Sequence, residues 1–364
     1  MLPAVFIALF AGCDSSDPVQ PAPPVDPSLS GQIHRLVEVH GIPGAAGVAV
    51  THESIVDIRA AGVRCAGSDS AVAAGDLFHI GSIGKSMTAT MIASLVEGGA
   101  LSWSAGPADF IPGLADSIHP LYRDITLLDL LRHRAGVPAD EDIGAVPIFA
   151  GTLAEQRLQA SRWVLKLPPA ATPGTFRYSN AGYVIAAAVA ESATGTGWRA
   201  LMDSLLFEPL AMEVHYGWPR EHDDDQPCGH EPAGASYRPV DPSVEPASIK
   251  FLEPAGFISM SVSDLAEFVE LHLAARLGRP SILTQASFDT LHAPVGGYAC
   301  GLGVARTYDG TLFWHNGSND YFYAVMYFLP AGDAGVAVAV NAGGAAAGTR
   351  THRAAETVLK AIIE

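Results

Sequence analysis

Apolar and polar positions along this chain follow three successive rhythms. Residues 28–40 carry Ile33, Leu36 and Val37 at helical spacing. Residues 45–50 and 54–60 then read as two strands of a hairpin turned at Thr51-His52-Glu53. From residue 83 the period becomes helical. Ile83, Met87, Met91 and Leu95 recur at steps of four, and Ala89, Ile92 and Val96 fill the other faces. A helix apolar all round is predicted to be central and buried, and Gly98-Gly99 stops it. Further helices are predicted over 125–138, with Thr126 as N-cap and Gly136 at the end, and over 153–167, 180–195, 198–212, 262–277 and 287–293. From residue 300 the period returns to two. Antiparallel strands are expected at 301–308, 311–315, 321–329 and 335–340, then a loop at 343–348 and an amphipathic helix over 350–363. Strands at both ends with helices between predict an α/β (α+β) fold. One antiparallel sheet is built from both termini and flanked by helices, with a mainly helical lobe inserted at roughly 101–290. A cleft between lobes is the expected place for a site.

Composition narrows this picture. The 364 residues are 49% hydrophobic and 16% charged, enough for a large core. A formal net charge of -17 and the lack of any basic run argue against nucleic acid as a partner. The first residues are almost wholly apolar, too short to span a membrane and without a positively charged start. Their end, Phe10-Ala11-Gly12-Cys13, looks like the lipobox of a bacterial lipoprotein signal. Residues 14–27 form a proline-rich tether with nothing to bury. The expected organisation is therefore a signal over 1–13, a tether over 14–27 and one domain over 28–364, working as a monomer in the periplasm or cell envelope. Its only membrane contact would be a lipid on Cys13. Cys65, Cys228 and Cys300 are widely spaced; at most one disulfide can form, and buried free thiols are the expectation. His222, Asp223, Asp224, Asp225, Cys228 and His230 crowd one polar stretch, but no pair has helical ligand spacing, so the run reads as a solvated loop rather than a metal site.

Three short patterns carry candidate chemistry. Ser82 and Lys85 lie about one helical turn apart and so point the same way. A serine hydroxyl attacks only when a base takes its proton, and a lysine at a helix start, disfavoured as a cation by the dipole and by burial, can be that base. Alone, the spacing also fits an ordinary helix start with a solvated lysine. Tyr178 and Asn180, two apart in an extended stretch after a Pro173-Gly174 turn, face one side; alone, they also fit a turn with an asparagine cap. His133 ends a short helix, where a histidine commonly meets carbonyls.

Together the patterns are specific. Ser82-x-x-Lys85, Tyr178-x-Asn180 and His315-Asn316-Gly317 resemble, in order, the three signatures of the penicillin-recognising serine hydrolases. The nearest resemblance is to the branch holding class C β-lactamases, D-alanyl-D-alanine carboxypeptidases and related esterases. Ile125 to Pro138, Glu208-Pro209-Leu210-Ala211-Met212 and Pro254-Ala255-Gly256 with Ser261 to Ala266 are similar to further blocks of that branch. The resemblance implies that Ser82 forms an acyl-enzyme, Lys85 takes or relays its proton and Tyr178 is the partner acid/base. It implies that Asn180 bonds the substrate amide and Lys85, and that the Ser82 and Ser318 amides form the oxyanion hole. His315 and Gly317 would share a strand face, Gly317 letting substrate lie close. No cofactor is implied; water is the co-reactant, and the substrate is a small molecule or short peptide. His315 stands where efficient class C β-lactamases carry lysine, which points away from strong β-lactam hydrolysis. Arg350 and Arg353 are candidates for a carboxylate contact. Ester or amide hydrolysis ranks first, then D-alanyl peptide cleavage, then β-lactam hydrolysis. A non-catalytic penicillin- or muropeptide-binding sensor is the reading from another class.

Overall fold

The computed structural model describes residues 26–142, 146–241 and 247–364. The signal, Cys13 and nearly all of the tether lie outside the described residues. In chain order the elements are α1 (Leu29–Glu38), β1 (Gly44–Val50), β2 (Ile55–Gly62), β3 (Phe78–His79), α2 (Gly84–Glu97), α3 (Pro107–Phe110) and α4 (Leu127–Leu131). There follow α5 (Leu153–Val164), α6 (Asn180–Thr194), α7 (Trp198–Met202), β4 (Val214–Tyr216), α8 (Pro219–His222), β5 (Gly229–Ala233), β6 (Ser236–Val240) and β7 (Ile258–Met260). The chain closes with α9 (Val262–Arg276), α10 (Gln285–Leu291), β8 (Gly303–Thr307), β9 (Gly310–Ser318), β10 (Tyr323–Leu329), β11 (Ala334–Val340) and α11 (Ala345–Ile363).

The main sheet has the order β2-β1-β11-β10-β9-β8, and all its pairings are antiparallel. It joins the two chain ends, as the period-two runs predict. Alternation sorts the side chains onto two faces. Val325, Tyr327, Val336 and Val338 pack with Ile33 and Leu36 of α1 and with Val358 and Leu359 of α11. Ala324, Met326, Phe328 and Ala337 face the larger core with α2 and α9. Each fully buried Met or Ile there contributes about 1.5–3 kcal/mol. Every residue of α2 from Gly84 to Ala93 is buried, which bears out the reading of a central helix.

Local chemistry sets the ends of the elements. Thr126 caps α4, its hydroxyl accepting from the Asp129 amide, as expected. The helix stops at Leu131 rather than at Gly136, because His133 turns into the left-handed region at φ 56°. α6 ends at Gly195 in the left-handed conformation, but its N-cap is Ser179, not Asn180. α11 begins at Ala345, where a loop is expected: three alanines favour helix, and the bare Gly348 lets the Tyr323 ring pack against it.

The 222–250 stretch departs most from expectation. It holds the β5–β6 hairpin, and Cys65 and Cys228 form a disulfide across 163 residues, leaving Cys300 as a buried free thiol. His230 is buried, with Nδ1 2.6 Å from the Asn341 carbonyl and Nε2 accepting from the Ala66 amide at 2.9 Å. The solvated-loop reading holds for the exposed His222 to Asp225 and fails for the buried Pro227 to His230; the free-thiol reading holds for Cys300 and is corrected for Cys65 and Cys228. Long-range pairing leaves no trace in local spacing. Among the described residues no helix is long and apolar enough to cross a membrane.

Candidate active site

Ser82 lies in a 3-10 turn, Gly81–Ile83, directly before α2 rather than inside its first turn. The turn packs on the end of β9. A methyl group at Gly317 would overlap the Ile80 carbonyl and the Ser82 amide nitrogen, and one at Gly81 would overlap the Ser318 amide. Gly317 is thus required by the nucleophile turn itself, not only by an incoming substrate. The same close approach brings the Ser82 and Ser318 amides onto facing backbones at one cleft.

Lys85 is fully buried, and its Nζ donates to Ser82 Oγ at 2.9 Å and to the Ala255 carbonyl at 2.6 Å. Burial pushes its ammonium down to about 7, against the opposing pull of Asp140. Burial thus makes the free amine accessible near neutral pH. The Ala255 carbonyl is fixed in turn, since the buried Glu253 carboxylate pairs with Arg199 and Arg157.

The Tyr178 ring sits 4.9 Å from Lys85 Nζ, and its hydroxyl shares a hydrogen bond with Ser82. The residue is 36% exposed, but its inner end is packed. Burial pushes the phenol well above its ordinary 10, against the smaller lowering effect of the Ser82 bond. Tyr178 is therefore a neutral proton donor at working pH, not a phenolate. Of the two groups beside Ser82, only Lys85 is a base near neutrality.

Asn180, at the start of α6, donates from Nδ2 to Asp140 at 2.5 Å, whereas the bonds of Lys85 go to Ser82 and Ala255. The expected Asn180–Lys85 bond is replaced by this Asp140 contact. His315 and Gly317 do share the buried face of β9. His315 Nδ1 lies 2.6 Å from the Asn316 carbonyl, so it carries the proton, and Nε2 accepts from the Tyr298 hydroxyl at 2.9 Å. Burial drives its imidazolium down to about 3, with the Lys85 charge adding to the effect. It offers no cation to a carboxylate. Nor do Arg350 and Arg353, which line a separate groove between α1 and α11 with Arg35 and His40.

The cleft, of about 140 Å³, is lined by His79, Ser82, Asn180, Leu252, Gly256 and Ser318 among others; no arginine or lysine appears among the described lining residues. Local pattern missed Asp140, Tyr298 and the full role of His133. The His133 ring packs at a tilt against the Tyr178 ring, centroids 4.2 Å apart, and accepts from the Ser179 amide at 3.2 Å, backing the tyrosine from behind. None of the three carries a local signal beyond its residue type.

A family model described as Beta-lactamase matches residues 29–359. The unguisins hydrolase ungD of Aspergillus violaceofuscus is 29% identical over 269 residues, covering 70% of this chain and 46% of that protein. Penicillin-binding protein 4 of Amycolatopsis lactamdurans is 27% identical over 241 residues, covering 64% of this chain and 60% of that one. The chain thus spans about half the length of these curated relatives. The crystal structure of D-alanine carboxypeptidase AmpC from Burkholderia cenocepacia superposes with a TM-score of 0.73 at 20% identity, covering 92% of this chain and 97% of that one.

Proposed function

Because the chain belongs to the Beta-lactamase family, we propose that it is a serine hydrolase that cleaves a neutral ester or amide through an acyl-enzyme on Ser82. One observation carries the reading: a buried amine, brought down to about 7, lies 2.9 Å from the serine hydroxyl at the mouth of a cleft. Neutral Lys85 takes the Ser82 proton as Oγ attacks the carbonyl carbon. The Ser82 and Ser318 amides hold the resulting oxyanion, two donors contributing roughly a few kcal/mol to the transition state. Collapse breaks the bond to the leaving group, which takes a proton from Tyr178, and the Lys85 ammonium restores that proton. Water, deprotonated by the same amine, then releases the acid and frees Ser82.

The neutral His315, a described lining without lysine or arginine, and the Asp320 carboxylate within it favour substrates without a free carboxylate, which ranks esters and amides above D-alanyl peptides and β-lactams. The Cys65–Cys228 disulfide suits an oxidising compartment such as the periplasm. The proposed setting is a monomer, tethered there through Cys13, acting on small molecules or short peptides. The test compares nitrocefin, a short-chain p-nitrophenyl ester and a D-Ala-D-Ala peptide in wild type and Ser82→Ala. The ester is expected to turn over fastest, and the substitution to abolish all three. Rapid nitrocefin turnover would reverse the ranking, and ester turnover surviving in Ser82→Ala would remove the mechanism.

A further inference from the structure

The face of the main sheet turned away from Ser82 carries a groove that hydrolysis does not use. α1 and α11 pack on that face, while α2 and the nucleophile turn lie against the other. Between the two helices the groove has a volume of about 490 Å³, within the roughly 300–1,000 Å³ of sites for organic ligands. Helical spacing builds it. Ala346, Arg350, Arg353 and Thr357 recur at steps of four and three and so share one face of α11, and Arg35 comes from the facing side of α1. The buried Leu36 and Ala354 line it between them with apolar surface.

The charge of the groove runs against that of the chain. The protein has a formal net charge of -17, yet the described lining holds three guanidinium groups and no carboxylate. Arg64, Arg157 and Arg238 each meet a carboxylate, whereas among the described residues Arg35, Arg350 and Arg353 meet none. Glu356, on the same helix, accepts from the Tyr327 hydroxyl on the sheet. Three like charges held together repel unless an anion joins them. Their fields converge on His40: burial lowers its imidazolium first, and the charges of Arg350, Arg35 and Arg353 lower it further. Arg350 is already held in place, its Nη1 donating to the His40 carbonyl at 2.9 Å, so a ligand has less to order. α11 adds to the field. No side chain caps its start, and Ala346 of its first turn lines the groove, where the helix dipole favours an anion.

A guanidinium is a planar fork that takes two oxygens of one anion. A carboxylate, with two oxygens, suits one fork. A phosphomonoester has three terminal oxygens spread over a tetrahedron and close to two charges, so it answers several forks at once. We propose that the α1–α11 groove binds the phosphoryl group of an organic phosphomonoester, with Arg35, Arg350 and Arg353 on its oxygens and the organic remainder over Leu36 and Ala354. That chemistry is common to a soluble phosphate ester and to the headgroup of phosphatidic acid. The site lies across the sheet from Ser82 and stands or falls apart from the hydrolase reading.

The test uses the full chain as wild type, Arg353→Gln, Arg35→Gln/Arg353→Gln and Arg306→Gln. Arg306 is exposed on the edge strand β8 and lines no part of the groove. Unchanged urea midpoints report an intact fold, and the exposed Arg353 gives a single variant with little to disturb. Calorimetry at pH 8 and low salt should show glycerol 3-phosphate binding with a Kd of about 0.1 mM or tighter, and acetate at least about tenfold weaker. Arg353→Gln should weaken the phosphate ester several-fold and the double variant about tenfold or more, while Arg306→Gln stays within about twofold. Cosedimentation with phosphatidylcholine vesicles, with and without phosphatidic acid, distinguishes the sources. A wild-type excess on phosphatidic acid that the double variant loses, without glycerol 3-phosphate binding, assigns a lipid headgroup. Glycerol 3-phosphate binding without that excess assigns a soluble ester, and displacement from the vesicles by glycerol 3-phosphate assigns both to one groove. Binding of neither probe, equal binding by the double variant, an equal loss in Arg306→Gln, or acetate binding as tightly as the phosphate ester would overturn the proposal.

Discussion

Lys85 and His315 stand on facing elements of one site, both buried, and burial acts on each in the same direction. It disfavours the charged form and lowers the pKa. The outcomes are opposite because the starting points differ. A lysine beginning at 10.5 and lowered to about 7 arrives at working pH as a titrating base. A histidine beginning at 6.5 and lowered to about 3 leaves the working range and becomes a fixed hydrogen-bonding spacer. One environment arms the first group and silences the second. Residue type alone would have assigned the proton chemistry to the histidine, whose unperturbed value is nearer neutrality.

The sharpest way to break this contrast is to remove the armed group. Lys85→Met keeps the length and deletes the amine. Ester kcat is expected to fall by about 10³-fold or more, since the serine loses its base. The same change relieves a buried ionisable group. Because the folded pKa lies below the unfolded value, the unfolded chain binds the extra proton between about 7 and 10.5, and the wild type is penalised throughout neutral pH. The variant should therefore unfold later in urea, gaining on the order of 1–3 kcal/mol at pH 7. Loss of both activity and stability would mean that the ammonium, not the amine, is the resident form.

Removing the silent group should do much less to the chemistry. His315→Gln is expected to change ester kcat/KM by less than about fivefold at pH 8, because a neutral spacer contributes positioning rather than proton transfer. Its effect should appear in acid instead. Below 6.5 the unfolded histidine takes a proton that the folded one refuses until about 3, so wild-type stability falls with pH across that window. The variant should lose a slope of up to about 1.4 kcal/mol per pH unit there, read from urea midpoints between pH 6.5 and 4. His79, with its imidazolium also at about 3, and His230, at about 4, add slopes that the variant keeps. A hundredfold rate loss at pH 8 would make His315 part of the proton path.

Half of this contrast can be read in the sequence. The Ser82–Lys85 turn is legible because one helical turn fixes their common direction, and the apolar run around α2 announces the burial that lowers the lysine. The sheet is legible because alternation is local, as in β9, where Phe313, His315 and Gly317 are buried and Trp314 and Asn316 half-buried. His315 can be placed on β9, but its silence cannot be foreseen, since the Tyr298 hydroxyl that holds it comes from a separate loop. Asp140 and the Cys65–Cys228 bond are hidden for the same reason: each acts on a group far away in sequence, and no periodicity records the meeting. The Asn180–Lys85 bond carried over by resemblance failed because Asp140 competes for the same amide.

Asp140 also supplies the finest adjustment of the comparison. Its carboxylate is the charge that acts against burial at Lys85, favouring the ammonium. Below the lysine pKa the amine is scarce, so log kcat/KM on a neutral ester should rise with unit slope and level off above about 7. Asp140→Asn removes the negative charge and leaves burial unopposed. The acidic limb should then move to lower pH by a fraction of a unit, leaving more amine, and a faster reaction relative to the plateau, at pH 6. Plateau height alone would not be informative, because Asn180 also loses its carboxylate partner. The position of the limb isolates the electrostatic effect, since it depends on the proton affinity of the base and not on how well substrate is held. In the double variant with His315→Gln the limb should stay where Asp140→Asn leaves it, because a histidine neutral above about 3 has no charge to withdraw. A limb that moves to higher pH in Asp140→Asn, or one that follows His315 instead, would assign the titrating group to another residue.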